Sequence, residues 1–367
     1  MHKPVRKSAI PPKLLIAASG TGGHVFPALA IAEQLSDWQI EWLGVPDRME
    51  TKLVQDRYRL HRVSMSGLQG SLLDKGWAFL QLGAAIWKVR QLLQAGQFDG
   101  VLSTGGYIAA PAILAARSLG VPVVLHESNV IPGKVTRGLG RWCRLVALGM
   151  AETAKYLPGV ATQVVGTPVR SEFYSPQPVP ADIPIPDGEP FILIMGGSQG
   201  ARGLNHMVNA CVEDWLQSGA WIVHLTGSVA AQTPESRIPQ HPRYWRFPFR
   251  ADVANLLQRA DFVISRAGAM SLAELLATGT PAILIPYPFA AEDHQYHNAL
   301  AFVQCGGGVV MRESEGNLDL LRQTVLTWLA HPQTVTQMAA SLKTTAYPAA
   351  SRAMAHLLHA IFQDSGR

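Results

Sequence analysis

Three glycine-rich loops stand where an apolar run ends and a helical pattern begins. They are Gly20-Thr21-Gly22-Gly23, Gly105-Gly106 and Gly196-Gly197-Ser198-Gln199-Gly200. Glycine lets the backbone turn sharply and approach a ligand, and the start of the following helix offers free N–H groups with a partial positive charge. We therefore expect these loops to bind a phosphate or a pyrophosphate. The alternative is that the glycines serve only the steric needs of the turns, and the presence of three such loops weakens it.

Two well-known nucleotide fingerprints are incomplete in these loops. A dinucleotide-binding loop needs a third glycine where Val25 stands, and an acidic residue after the next strand, which ends in Trp42-Leu43-Gly44. A P-loop ends in Gly-Lys-Ser or Gly-Lys-Thr, whereas this chain has Gly200-Ala201-Arg202. The sequence therefore argues against an NAD-dependent enzyme and against an ATPase.

Titratable side chains follow two of the predicted strands. His24 comes directly after the first glycine loop, and His126 and Glu127 end the apolar run VPVVLHE. Ligands of open α/β sheets bind at the carboxyl ends of strands, and imidazole changes its protonation near neutral pH. We expect His24 to act as a general base, with Glu127 as its rival. The alternative for His24 is a hydrogen bond to phosphate or backbone alone.

The elements that carry these residues alternate between strand and helix. Short, continuous apolar runs are each followed by a helical pattern, which predicts strands buried on both faces in parallel sheets. The first series comprises LLIAAS at 14–19, IEWLG at 40–44, GVLSTGG at 100–106 and VPVVLHE at 121–127, and the second begins with FILIMGG at 191–197.

A proline-rich stretch separates the two series. Residues 171–190 contain six prolines, a composition that cannot sustain a helix or a central strand. We predict an N-terminal domain over 1–168, a linker over 169–190, a C-terminal domain over 191–345 and a terminal docking helix over 346–367.

The composition is that of a two-domain protein with a well-filled core. The chain has 367 residues, of which 48 % are hydrophobic and 16 % charged. Its cysteines are far apart and form no Cys-x-x-Cys pair, so neither a disulfide framework nor a thiolate metal site is predicted. They are Cys143, Cys211 and Cys305.

The net charge of +5 favours anionic partners, but nothing indicates nucleic acid. The sequence has no aromatic RNA-binding motif, zinc finger or dense Lys/Arg run. The basic start of the chain precedes the apolar run Leu14 to Ala18, which is too short for a secretory signal. No stretch of about 18 apolar residues occurs, so any membrane contact is expected to be peripheral.

The motifs, in their order along the chain, closely resemble the MurG family of glycosyltransferases. They are GTGGHVFPALAIAEQL, STGGYIAAP, HESNVIPGK, VGTPVR, MGGSQGARGLN, SRAGAMSLAELLATGTPAILIP and HQYHNA, spanning about 20 to 300. The resemblance implies an α/β fold of the GT-B type, with two Rossmann-like domains whose parallel sheets face each other across a cleft. Thr167 and Ser128 depart from the commonest family residues, Asn and Gln.

The resemblance also implies an activity. It is the inverting transfer of N-acetylglucosamine from UDP to the C4 hydroxyl of the muramoyl sugar of undecaprenyl-diphosphate-linked muramoylpentapeptide, a step of peptidoglycan synthesis. No cofactor and no catalytic metal are expected, and the chain contains no Asp-x-Asp motif for a metal-bound sugar nucleotide. The implied location is the cytoplasmic face of the bacterial plasma membrane.

For the donor UDP-N-acetylglucosamine, the family motifs assign roles to particular positions. Arg170 and Ser198 would hold the diphosphate, Glu274 the ribose hydroxyls, and the backbone of Arg250 the uracil. Gln295 and Asn129 would contact the sugar, Asn129 from the N-terminal domain, with Asn298 as a weaker choice. Alternatives are a surface cation for Arg170 and a turn residue for Asn129. The full donor set is Thr21, Gly22, Gly23, Asn129, Arg170, Ser198, Arg250, Ala269, Met270, Ser271, Glu274 and Gln295.

For the lipid-linked acceptor, the candidates lie in the N-terminal domain. They are Gly105, Gly106, Tyr107 and His126. Two other functions remain open at this point: a UDP-N-acetylglucosamine 2-epimerase on the same scaffold, and a two-domain solute receptor without enzymatic activity.

The stretch from Leu72 to Leu93 has apolar residues at helical spacing with cations nearby. Such an amphipathic helix can lie on an anionic bilayer surface, or its apolar stripe can be part of the core. The apolar residues are Leu73, Trp77, Leu80, Ile86, Trp87 and Leu93. Membrane contact would place Trp77 and Trp87 against lipid.

Overall fold

The structure is a computed structural model that describes residues 11–65, 72–175, 177–197, 201–227, 239–345 and 349–363, without the side chains of 72–79, 345 and 363. The chain forms two compact units. Unit 1 comprises the chain up to residue 128, residues 132–170, and the chain from 349 onward, and unit 2 comprises 129–131 and 171–348. The main boundary follows Arg170, inside the segment predicted as a linker.

The strands and helices alternate along the chain. The strands are β1 Lys13–Ala18, β2 Gln39–Gly44, β3 Arg59–Arg62, β4 Gly100–Gly105, β5 Val123–Glu127, β6 Leu145–Leu148, β7 Thr162–Val164, β8 Phe191–Met195, β9 Trp221–Leu225, β10 Tyr244–Phe247, β11 Phe262–Ser265, β12 Ala282–Leu284 and β13 Gly308–Val310. The helices are α1 Gly22–Ala32, α2 Met49–Val54, α3 Leu72–Gly96, α4 Ala109–Ser118, α5 Lys134–Leu139, α6 Arg202–Asn209, α7 Val212–Gln217, α8 Val253–Arg259, α9 Ala269–Thr278, α10 His294–Gln304, α11 Leu318–Ala330, α12 Pro332–Thr345 and α13 Ala350–Gln363.

Each unit is built on one parallel sheet. Within the described residues, the strand order is β3-β2-β1-β4-β5-β6-β7 in unit 1 and β10-β9-β8-β11-β12-β13 in unit 2. The central strands β1 and β8 are buried on both faces, because helices cover the two sides of each sheet. The continuous apolar runs of the sequence therefore correspond to doubly covered strands, as predicted.

The C-terminal helix α13 packs against the core of unit 1. Met354 and Leu358 are fully buried there. The indole N–H of Trp38 donates to the His359 ring at 3.2 Å, and the Ser351 hydroxyl donates to the Val169 carbonyl at 3.2 Å. The terminal helix thus packs on elements that lie more than 300 positions earlier in the chain.

The proline-rich segment lies against unit 2. Ile183 is fully buried, and the amide of Gln258 in α8 donates to the carbonyls of Glu172 and Ser175 at 2.9 and 2.8 Å. Proline leaves neighbouring carbonyl groups without a strand partner, so polar side chains of a helix can bind them. The segment expected to link the domains is therefore largely a packed part of unit 2.

Helix α3 divides its apolar residues between core and solvent. Val89 and Leu93 are buried in unit 1, whereas Leu80 is 69 % and Trp87 is 58 % exposed. The side chain of Trp77 lies outside the described residues. In the part of the chain that the structure describes, no helix is long and apolar enough to cross a membrane.

Candidate functional site

The first glycine loop joins β1 to α1 in unit 1. Gly20 has a φ of +106°, a conformation that favours glycine, and Thr21 is the extended N-cap residue of α1. Helix α1 begins at Gly22, where a Cβ would lie 2.8 Å from the Phe26 ring. The turn therefore presents the N–H groups of the helix start, including that of Gly23, at the carboxyl end of β1.

His24 connects the first glycine loop to the second. Its Nδ1 donates to the Thr104 carbonyl at 2.8 Å, and the Thr104 hydroxyl donates to the His24 carbonyl at 2.7 Å. Because a carbonyl can only accept, Nδ1 carries the proton, and in the neutral ring Nε2 keeps its lone pair. In this tautomer, Nε2 is the nitrogen that can accept a proton.

The second loop leaves room for the His24 ring. Gly105 and Gly106 have φ of +104° and +82°. A Cβ on Gly105 would lie 2.8 Å from the His24 ring, and one on Gly106 would lie 2.6 Å from the Ser19 carbonyl. Tyr107, which follows, is 51 % exposed. The structure thus brings together the predicted base and the predicted acceptor loop.

His126 and Glu127 are buried at the end of β5. His126 is 1 % exposed, and its Nε2 donates to the Gly166 carbonyl at 3.0 Å. Burial lowers the pKa of His126, which keeps the ring neutral. Glu127 Oε2 accepts from the Gly133 N–H at 2.9 Å and from the Thr136 hydroxyl at 2.7 Å. His126 thus holds the segment that follows β7, and Glu127 holds the start of α5.

In unit 2, the third glycine loop follows β8, and Ser198 lies outside the described residues. A second helix start is fully described in the same unit. Ala269, Met270 and Ser271 form the first turn of α9, after the N-cap residue Gly268, and Glu274 lies in the second turn. The ten-residue helix therefore presents free N–H groups at the carboxyl end of β11.

The Arg250 side chain is held by two carboxylates. It donates to Asp182 at 2.6 and 3.0 Å and to Asp252 at 2.8 and 2.7 Å. These hydrogen bonds, that to Asp252 first, raise the pKa of Arg250 above its ordinary value. The guanidinium ties the proline-rich segment to the start of α8, which leaves only the backbone of Arg250 for a ligand.

Asn129 lies with unit 2, together with residues 130 and 131. The Asn298 amide donates to Asn129 Oδ1 at 3.0 Å, and Asn298 Oδ1 accepts from the Val130 N–H at 2.9 Å. Asn298 is fully buried and so holds this segment. Gln295, on the same helix, accepts from the Tyr287 N–H through Oε1 at 3.0 Å.

Arg170 is the last residue of unit 1 before the boundary. Its guanidinium lies over the Phe26 ring at 4.6 Å from the centroid. Because Phe26 belongs to α1, Arg170 is close to the helix that follows the first glycine loop.

Sequence reasoning missed an ion pair of a buried arginine at the strand ends of unit 2. Arg266 is 7 % exposed and donates to the Ile285 and Pro286 carbonyls at 3.0 and 3.2 Å. It also pairs with Glu313, after β13. The motif SRAGAMS contained this arginine, but its partners are distant in sequence, so no local pattern indicated the pair.

A buried polar network crosses the core of unit 2 and was also missed. His224 is fully buried, with Nδ1 2.9 Å from the Tyr244 hydroxyl and Nε2 3.0 Å from Asn205 Oδ1. Burial first, and the Arg246 charge second, lower the pKa of His224 to about 3. Among the described residues, no three His, Cys, Asp or Glu side chains cluster in a way that could hold a metal ion.

Two family models match the chain. The glycosyltransferase family 28 N-terminal domain matches residues 14–148, and the C-terminal domain of the same family matches residues 191–353. The first match covers β1 to β6 of the first sheet, and the second covers all the strands of the second sheet.

Curated relatives resemble the chain over almost its whole length. One from a Synechococcus strain is 75 % identical over 356 residues, 97 % of each chain. One from Gloeobacter violaceus is 53 % identical over 350 residues, 95 % of this chain and 98 % of the relative. Both are named UDP-N-acetylglucosamine–N-acetylmuramyl-(pentapeptide) pyrophosphoryl-undecaprenol N-acetylglucosamine transferase.

Solved structures share the fold. MurG from Acinetobacter baumannii has a TM-score of 0.79 at 30 % identity, covering 96 % of this chain and 100 % of that chain. A structure described as a putative UDP-N-acetylglucosamine 2-epimerase from Listeria monocytogenes has a TM-score of 0.69 at 14 % identity, covering 97 % and 98 %. The second likeness concerns the fold alone. The predicted GT-B fold class, with two Rossmann-like parallel-sheet domains, is confirmed.

Proposed function

The chain belongs to glycosyltransferase family 28, and from this premise we infer that it transfers N-acetylglucosamine from UDP-N-acetylglucosamine to undecaprenyl-diphosphate-linked muramoylpentapeptide. The acceptor atom is the C4 hydroxyl of the muramoyl sugar, and the product is the lipid-linked disaccharide of peptidoglycan synthesis. The observation that carries this conclusion is 75 % identity over 97 % of the chain to a transferase of that name. The enzyme is a UDP-N-acetylglucosamine-dependent hexosyltransferase.

At C1 of the sugar, the reaction makes one bond and breaks one. The acceptor oxygen attacks C1 of N-acetylglucosamine, the bond from C1 to the diphosphate oxygen breaks, and UDP leaves with the electron pair. Attack from the face opposite the leaving group inverts the configuration at C1. The protein therefore has two tasks: to remove a proton from the acceptor hydroxyl and to stabilise charge on UDP.

We propose His24 as the general base. Its Nδ1 proton is engaged by the Thr104 carbonyl, so Nε2 is the atom that would take the hydroxyl proton. Gly105 and Gly106, which border the ring, would admit the acceptor sugar, and the exposed Tyr107 would contact it. Glu127 fits a positioning role better, because its Oε2 already accepts two hydrogen bonds.

On the donor side, we propose that UDP binds to helix starts. The first turn of α9, from Ala269 to Ser271, would face the diphosphate, with Ser198 and Arg170 adding a hydroxyl and a charge. Glu274, in the next turn, would accept hydrogen bonds from the ribose hydroxyls.

Two further proposals concern the ends of the donor. The backbone of Arg250 would contact uracil, since the Arg250 side chain is held by two aspartates. Gln295 and Asn129 would contact the sugar ring, and Thr21, Gly22 and Gly23 would offer N–H groups at the start of α1.

A transfer assay tests the function directly. Purified protein, radiolabelled UDP-N-acetylglucosamine and a synthetic lipid-linked acceptor should yield a labelled lipid disaccharide and UDP. A parallel incubation with the donor alone should leave the sugar unchanged. A labelled epimer in that second tube, without transfer in the first, would support the epimerase and overturn the transferase.

We further propose that the protein binds the cytoplasmic face of the plasma membrane peripherally. Leu80 and Trp87 lie on the same face of α3, two turns apart, and both side chains are largely exposed. Lys88 lies beside them on the same helix and is exposed as well. Exposed apolar side chains with a neighbouring cation suit an anionic bilayer surface, where the lipid-linked acceptor resides.

Vesicle sedimentation tests this surface. Leu80→Ser and Trp87→Ser should each weaken sedimentation with vesicles that contain anionic lipid, while thermal melting stays close to that of the unmodified protein. The matched control is Leu320→Ser, which changes a leucine that is 54 % exposed on α11 of unit 2. Equal sedimentation of all the variants would remove α3 from the proposal.

A further inference from the structure

A buried carboxylate lies behind the first glycine loop. Glu50 is the second residue of α2 and is 0 % exposed. Its Oε2 accepts from the Gly20 N–H at 3.2 Å, and its Oε1 accepts from the Val45 N–H at 2.9 Å. One side chain thus joins the loop after β1 to the end of β2.

The chain leaves space for this carboxylate at a particular position. A Cβ on Gly44 would lie 2.7 Å from Glu50 Cγ and 3.0 Å from its Oε1. Gly44 therefore permits Glu50 to approach the backbone, which a larger residue would prevent. Among the described residues, no cation forms an ion pair with Glu50, and its two oxygens accept from two backbone N–H groups.

A buried polar group is costly unless it is hydrogen-bonded, so Glu50 depends on hydrogen bonds that the rest of the fold holds in place. The bond to Gly20 turns that N–H inward, at a residue with positive φ. The loop is then held at two points: by Glu50 at Gly20, and by Thr104 at His24.

We propose that Glu50 is a positioning residue for the transfer reaction, which fixes the first glycine loop and thereby the placement of His24. The inference rests on the proposed function, in which His24 takes the proton of the acceptor hydroxyl. Glu50 itself touches no substrate, because it is fully buried. Its effect is expected on turnover, since a small misplacement of a reacting group slows chemistry more than binding.

The test is Glu50→Gln, which keeps the shape but offers only one acceptor oxygen. We expect kcat to fall by about 10- to 100-fold, with KM for UDP-N-acetylglucosamine within about twofold of the unmodified enzyme. In the variant, hydrogen exchange at the Gly20 amide should be faster than in the unmodified enzyme, whereas amides in the core of unit 1 should keep their exchange rates. The matched control is Glu33→Gln, which changes an exposed glutamate of the same unit that pairs with Arg57.

A second variant keeps the carboxylate and moves it. Gly44→Ala should displace Glu50 and reproduce the kcat loss, because the new Cβ would lie within 2.7 Å of Cγ. Folded Glu50→Gln and Gly44→Ala proteins with kcat within about twofold of the unmodified enzyme overturn the inference. Loss of the melting transition in both variants also overturns it, since Glu50 would then serve stability alone. Absence of transfer by the unmodified protein would instead contradict the proposed function.

Discussion

The two units fix their strand ends with opposite charges. In unit 1, the Glu50 carboxylate accepts from backbone N–H groups beneath a glycine loop. In unit 2, the Arg266 guanidinium donates to the carbonyls of Ile285 and Pro286 and pairs with Glu313. The same parallel-sheet fold uses a carboxylate where backbone N–H groups need an acceptor and a guanidinium where backbone carbonyls need a donor. The charge therefore follows the backbone group that needs a partner.

The units also differ in how their site residues are gathered. In unit 1, the His24 ring donates to the Thr104 carbonyl in β4 at 2.8 Å, so the first and second glycine loops lie side by side. In unit 2, the candidates lie further apart along the chain: Arg250 in the loop before α8, Glu274 on α9 and Gln295 on α10. In the proposed function, unit 1 would supply the proton transfer and unit 2 most of the contacts to the donor.

The largest effect is expected for His24→Ala. A positioned base contributes about 10²–10⁴-fold, so kcat should fall by that order while UDP binding changes little. Steady-state kinetics and UDP titration measure both. If His24→Ala keeps near-normal turnover and Glu127→Gln abolishes it, the base is Glu127.

Breaking the ion pair of unit 2 should cost stability. Arg266→Met leaves Glu313 without its partner and two carbonyls without a donor, so the free energy of unfolding of unit 2 should fall by about 3–5 kcal/mol. The control is Arg312→Met, since Arg312 is half exposed and pairs with Asp293 at 2.7 Å. For the control, calorimetry should show a loss of less than about 1 kcal/mol in the free energy of unfolding. Equal melting of the two variants would contradict the comparison.

Acid should destabilise unit 2 through His224. The folded pKa is about 3 and the ordinary value is 6.5, so below pH 6.5 the unfolded chain takes up a proton that the folded protein does not. The stabilisation is complete above about pH 6.5 and is lost as the pH falls towards 3.

Melting of unit 2 between pH 7 and pH 4.5 checks this expectation. His224→Gln should have a flatter dependence on pH, whereas His331→Gln, at an exposed histidine of the same unit, should follow the unmodified protein. The same steep slope in both variants would exclude His224 as the cause.

The smallest effect concerns Arg170. If it grips the diphosphate, Arg170→Ala should weaken UDP binding by about ten- to a hundredfold, equivalent to about 1.5–3 kcal/mol, because a charge-assisted hydrogen bond is lost. Arg117→Ala is the control, since Arg117 also lies over an aromatic ring, at 4.8 Å from the Trp142 centroid. Unchanged UDP affinity on calorimetric titration would remove Arg170 from the proposed donor site.

Some features of the site were predictable because they depend on rules of position. The carboxyl ends of parallel strands share one edge of a sheet, so His24 and Gly105 could be expected near each other. The exposure of Trp87 could not be predicted from the sequence, because the apolar residues of α3 occupy more than one face of the helix. The pairing of Asn129 with Asn298 joins positions 169 residues apart and leaves no local pattern.

The sequence by itself determined the two parallel sheets, their glycine turns and the family, because burial on both faces and positive φ impose a residue choice at each position. Only the tertiary structure decided which polar groups would be buried together. Glu50, Arg266 and His224 each bind partners from distant parts of the chain. Such pairings follow from packing, since a buried polar group is stable only where the fold brings a complementary group to it.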